Sequence, residues 1–167
     1  MVNFAIYVEE TTDLIDGLRA IAARHPFIPP SFNQTLDPPL RTTPIAVSIE
    51  TEKPGIEWDT AKLQVSIWAA AQFTKLEQLL EESGHTIDNA RLCMPFLPLF
   101  VVQGHDWRFL AATREPDGQT SIWSMITVGS TIAPLGIYQI VATLYLLSRW
   151  SSEVFKPWFW KYVLGLG

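Results

Sequence analysis

The segment Thr43-Pro44-Ile45-Ala46-Val47-Ser48-Ile49-Glu50-Thr51-Glu52-Lys53 constrains this chain more than any other. Its apolar run from Ile45 to Ile49 reads as a strand and leads straight into Glu50 and then Glu52. Side chains alternate across a strand, so Glu50 and Glu52 point to one face and Lys53 to the other. A strand that ends with two carboxylates on one face is a place for metal or acid/base chemistry. The same residues also fit a plain strand end running into a charged turn at Pro54-Gly55.

The flanking sequence supplies elements on both sides. Val2 to Val8 alternates loosely and is rich in β-branched and aromatic residues, which predicts a first strand. Thr11-Thr12-Asp13 can cap a helix reaching about Arg24, with Leu14, Leu18 and Ile21 or Ala22 on one face. Pro26 to Pro39 is proline-rich and polar and reads as an irregular connection. A long helix is predicted from Trp58 to Glu82, with Val65, Ala69, Phe73, Leu76 and Leu80 as its buried stripe. Gln64 and Trp68 sit one turn apart on it and can share an approach to the preceding strand. His85 to Asn89 reads as a polar loop, and Phe96 to Val102 as a strand covered on both faces. Trp107 to Thr113 and Gln119 to Ile126 then form a hairpin across Arg114-Glu115-Pro116-Asp117-Gly118.

From Gly118 to Ser148 there is no charged residue. Within that stretch Pro134 to Ser148 has helical spacing through Ile137, Ile140 or Val141, Leu144 and Leu147, and Gly129-Ser130-Thr131 is placed to cap it. A membrane span needs roughly 20 apolar residues, and this run is shorter and broken by Gln139 and Thr143, so a buried helix is expected. The tail from Phe155 to Tyr162 is dense in aromatics and must pack on its own sheet, another subunit or a ligand. Large exposed apolar patches are uncommon on soluble monomers, which points to a homo-oligomer.

Composition excludes several classes. Apolar residues make up 48% of the 167-residue chain, enough for a real core and too many for disorder. A net charge of −5 disfavours binding by broad neutralisation of phosphates, though a local basic patch can exist. One cysteine, Cys93, excludes an internal disulfide and a cysteine-based zinc site and makes a reducing interior the default. The start, MVNFAIYVEETT, lacks a secretory signal, so the cytoplasm or nucleus is expected. No phosphate loop, dinucleotide fingerprint or nucleophile elbow is present.

In order along the chain, VNFAIYVE, SIETEKPG, LQVSIWAAAQ, LPLFVVQGHDWRFLAATRE and GSTIAPLGIYQIVATLYLLSRW resemble the PD-(D/E)XK nuclease-like domain widespread in filamentous fungi. QGHDW followed by the GST…GIY helix is the most distinctive part of the match. The resemblance implies an α/β fold over residues 1–167, a mixed central sheet flanked by helices, normally with a helix and more sheet upstream. It implies an Asp, Glu, Lys set for Mg²⁺-dependent phosphodiester cleavage. In this chain those positions read Asn3, Glu50 and Glu52, so only Glu50 keeps its type. Gln64 corresponds to a glutamine that helps hold the active site in related nucleases.

These departures divide the functional expectation. An Asn oxygen and two carboxylates remain acceptable hard ligands for Mg²⁺, with Glu50 first among them. Stabilising a phosphate is harder, because Lys53 lies on the wrong face unless a bulge intervenes. Two close carboxylates separate their pKa values, so one can stay protonated and donate while the other accepts. The favoured expectation is therefore a repurposed nuclease fold performing cofactor-free general acid/base chemistry on a small apolar molecule. A cyclisation or isomerisation in natural-product biosynthesis fits these parts, with nucleic acid and membrane not expected as partners. Its candidate catalytic residues are Glu50, Glu52, Asn3, Gln64 and His105, with Trp68, Trp107 or the tail as an aromatic wall. His105, within Gly104-His105-Asp106-Trp107, serves either as an acid/base or as part of a tight turn. The alternatives are a Mg²⁺-dependent DNA phosphodiesterase and a catalytically dead interaction module.

Overall fold

The computed structural model describes residues 4–27, 29–53, 55, 57–84 and 95–166. Within them the β-branched and aromatic runs become β1 (Phe4–Tyr7), β2 (Ile45–Glu52), β3 (Leu97–Gln103), β4 (Asp106–Arg114) and β5 (Thr120–Ser130). They form one sheet in the order β1-β2-β3-β4-β5. β2 and β3 run parallel, and the other neighbours pair antiparallel, so the sheet is mixed. The sheet is flanked by helices, as expected.

A parallel pair needs a crossover long enough to hold a helix. That helix is α3 (Trp58–Glu82), which follows α1 (Thr12–Arg24) and the short α2 (Pro38–Arg41). The stripe Val65, Ala69, Phe73, Leu76 and Leu80 is buried against the sheet, with the predicted helix bounds. Even-numbered residues of β4 and odd-numbered residues of β3 share the α3 side with Ser48, Glu50 and Glu52, because paired residues point the same way.

The proline-rich connection after α1 is held down by its own polar side chains. Asn33 Nδ2 donates to the carbonyls of Leu40 and of Thr43, the latter at 2.7 Å, and Asn33 Oδ1 accepts from Ile45 N at 3.0 Å. These bonds fix the chain at the entry to β2. Phe32, next to this clamp, enters the core edge-on to Phe159 at 5.3 Å.

The opposite side of the sheet carries α4 (Pro134–Trp150), which continues through a π-helical turn (Ser151–Phe155) into α5 (Lys156–Tyr162). Phe155 and Phe159 are 0% exposed and Trp158 is buried, so the aromatic tail packs on its own core. Two expectations are corrected at α4. Gly129 and Ser130 complete β5, and the residue preceding the helix is Ala133, so Gly129-Ser130-Thr131 does not cap α4. Gly129 has a packing role instead, since a Cβ there would meet Gly136 O at 2.5 Å. Nor is α4 buried all round: Gly136, Ile140 and Leu147 are buried, whereas Leu135, Tyr138 and Tyr145 stand exposed. Among the described residues no helix is long and apolar enough to cross a membrane.

Candidate active site

The face of β2 beneath α3 carries Ser48, Glu50 and Glu52 in succession. α3 answers them at helical spacing. Gln72 Nε2 donates to Ile45 O at 2.7 Å, and Trp68 Nε1 donates to Ser48 Oγ at 3.0 Å. One turn nearer the N-terminus, the Gln64 amide nitrogen donates to Glu50 Oε1 at 3.1 Å and to Glu52 Oε1 at 2.8 Å. Residues i, i+4 and i+8 of one helix thus follow one strand.

The two carboxylates differ in burial. Glu50 is 3% exposed, and Glu52 is only half-buried at the strand end. Burial pushes the Glu50 carboxyl above its ordinary value of 4.5; the charge and hydrogen bond of the chain's N-terminal amine pull it down without cancelling the rise, and the neighbouring Glu52 charge adds to it. A neutral amide can orient both groups but cannot neutralise either. An inner group of raised pKa therefore lies beside an outer one that meets solvent.

Beyond Gln64 lies an open groove of about 350 Å³ lined by Gln34, Gln64, Ile67, Trp68 and Ala71. Gln34 Nε2 reaches Trp68 O at 3.5 Å. Gln64 stands between this largely apolar groove and the carboxylate pair.

Not every candidate from the sequence joins this cluster. Asn3 lies outside the described residues, as do His85 to Asn89 and Cys93. His105 forms the β3–β4 turn with Gly104, whose φ of 59° suits glycine. Its Nδ1 lies 2.7 Å from Thr131 Oγ1, and its carbonyl accepts from Thr131 N at 2.9 Å, which ties the turn to the corner before α4. Trp107 is corrected outright as an aromatic wall for this site. It pairs with Val102, points to the far face and packs edge-on to Phe100 at 5.6 Å. The tail, being in the core, does not line the site either. Trp68 does. The β2–β3 register is regular through Glu52, so no bulge along it turns the exposed Lys53 onto the carboxylate face.

Arg108 is the residue that reading the sequence missed. Glu50, Val101 and Arg108 form one row across β2, β3 and β4. The Arg108 Cζ sits 3.6 Å over the Trp58 ring, at the first residue of α3. The five strands contain two cationic residues, Arg108 and Arg114. Arg114 is bound to Glu77, whereas Arg108 Nε is buried without a hydrogen-bond partner among the described residues. An arginine fork backed by an aromatic ring suits an oxyanion. Among the described residues no group of three or more His, Cys, Asp or Glu side chains is placed to hold a metal ion.

A mixed five-stranded sheet with a long crossover helix over an acidic strand end defines an α/β domain of nuclease-like architecture. The family model described as the PD-(D/E)XK nuclease superfamily matches residues 1–156, and the chain belongs to that superfamily. No curated protein and no solved structure matches it.

Proposed function

We propose that this member of the superfamily has been turned to general acid/base chemistry on a small, mostly apolar molecule, of cyclase or isomerase type, as in natural-product biosynthesis. The observation that carries the reading is the Glu50–Gln64–Glu52 bridge beside the groove walled by Trp68 and Ile67. Glu50 delivers a proton to the substrate and Glu52 removes one; Glu52 then releases its proton to solvent and Glu50 takes one up, so the net change is a rearrangement that consumes no cofactor. Gln64 keeps the two oxygens in register through the cycle. The single cysteine accords with a reducing compartment, the cytoplasm or nucleus.

A second reading, a Mg²⁺-dependent phosphodiesterase, draws on Arg108. Glu50 and Glu52 would hold the ion, which when bound supplies water activation and charge stabilisation at phosphate. Arg108 would steady the phosphate from the same sheet row.

A plasmid-nicking assay with Mg²⁺ or Mn²⁺ separates the two. We expect no cleavage by wild type at high enzyme concentration. Metal-dependent cleavage that disappears in Glu50→Ala would overturn the first reading. For an identified substrate, Glu50→Gln and Glu52→Gln should each lower turnover by about 10²-fold or more, the usual share of an acid/base group. Unchanged turnover in both would remove the carboxylates from the chemistry.

A further inference from the structure

The outer face of α4 is made for contact, not for water. Leu135, Tyr138, Val141, Tyr145 and Leu146 are 70%, 74%, 58%, 65% and 61% exposed, opposite the buried Gly136, Ile140 and Leu147. Beside α4 lies β5, an outer strand of the sheet, 11 residues long and without a charge or a proline. Trp123 and Ile126 on β5 are each 59% exposed. They pair with Ala111 and Phe109, and Gly129, which packs on Gly136, pairs with Trp107. Their register therefore puts them on the side of the sheet that α4 occupies.

Edge strands on soluble proteins are normally kept short, charged or bulged so that they do not recruit another strand. β1, at the other edge, follows that rule, with four residues, an irregular register at Ile6/Tyr7 and Glu9-Glu10 just beyond. β5 has bulges toward β4 but a length and an uncharged sequence that leave it open to pairing.

We infer that β5 and α4 form the interface through which a second copy of this chain docks about a two-fold axis. Three features favour a second copy as the occupant. An outer strand presents backbone donors and acceptors that an antiparallel copy of itself satisfies reciprocally. The chain carries a net charge of −5, yet residues 118–148 carry none, so two copies meet here without opposing like charges. The seven exposed side chains named above are all large and mainly apolar, and three of them are aromatic, each able to bury about 150–250 Å² when fully covered. A stable interface takes about 800 Å² from each partner. This inference is independent of the acid/base reading, since the interface lies across the sheet from Glu50.

Sedimentation equilibrium over a wide concentration range tests it. Wild type should have the mass of a dimer. Tyr138→Glu combined with Tyr145→Glu should weaken association by at least about thirtyfold, the loss of one strong interface residue. Ile126→Lys, a charge placed beside the strand edge, should weaken it separately, and far-UV circular dichroism should show both variants folded. A wild type that stays monomeric overturns the inference, whether its apolar face then takes detergent micelles or a different chain. A dimer that both folded variants leave intact overturns it as well.

Discussion

Glu77 and Glu50 are both buried carboxylates where α3 meets the sheet, and the two are served in opposite ways. Near its C-terminus α3 contributes Glu77, which Arg114 grips with two nitrogens, at 3.1 and 2.7 Å. Near its N-terminus it lays Gln64 across Glu50 and Glu52. The first arrangement brings a full opposite charge to a buried acid, as a structural ion pair does. The second supplies hydrogen bonds to two acids from a neutral side chain of the helix, and the Glu50 pKa stays raised although the charge of the N-terminal amine works against it. One end of the helix is built for stability. The other sets an acid of raised pKa beside a second acid, which makes it the candidate site.

The largest difference should come from breaking the structural end. Glu77→Ala leaves the Arg114 guanidinium buried with Thr120 Oγ1 as its acceptor and should cost about 3–5 kcal/mol in urea denaturation. Gln64→Leu, at the other end, should cost less, about 1–3 kcal/mol, because two carboxylate oxygens lose one shared donor. Trp68→Phe removes the bond to Ser48 and keeps most of the ring, so a loss of about 1 kcal/mol is expected. At the exposed Arg149–Glu153 pair, Arg149→Ala should change stability by about 0.5 kcal/mol or less. A loss at Gln64 as large as that at Glu77 would erase the distinction between the two ends.

The pH dependence sharpens the same contrast. A carboxyl raised by burial holds its proton in the folded chain after the unfolded chain has released it. Its stabilising contribution is complete below the unfolded value and is lost as pH rises through the folded one. Glu50→Gln should remove that loss. Melting temperatures of variant and wild type should coincide in acid, and the variant should melt higher once pH exceeds the raised value.

Much of the framework was legible because periodicity reports burial directly. The stripe on α3 placed the helix over the sheet, and alternation in β2 put Glu50 and Glu52 on one face. Trp107 and Arg108 were misjudged for one reason. With only Gly104 and His105 between the strands, Gln103 pairs with Asp106, so the even-numbered residues of β4 share the face of Glu50. An assigned turn would have sent Trp107 to the far side and brought Arg108 into the row. α4 failed differently. A helix apolar nearly all round reads as buried, yet the pattern does not say whether its cover comes from the same chain. The Asn33 clamp left no periodic signal, because a single side chain closes it against three backbone groups.

The most direct measurement is a ¹³C NMR titration of the glutamate side-chain carboxyls, with Glu50→Gln used to assign the Glu50 resonance. A Glu50 midpoint above 4.5 in wild type is the predicted result, moving further upward in Gln64→Leu when the donor to its ionised form is lost. A midpoint at or below 4.5 would show that Glu50 is held ionised like a metal ligand or a buried ion-pair partner. That would contradict the proton-donor role assigned to it.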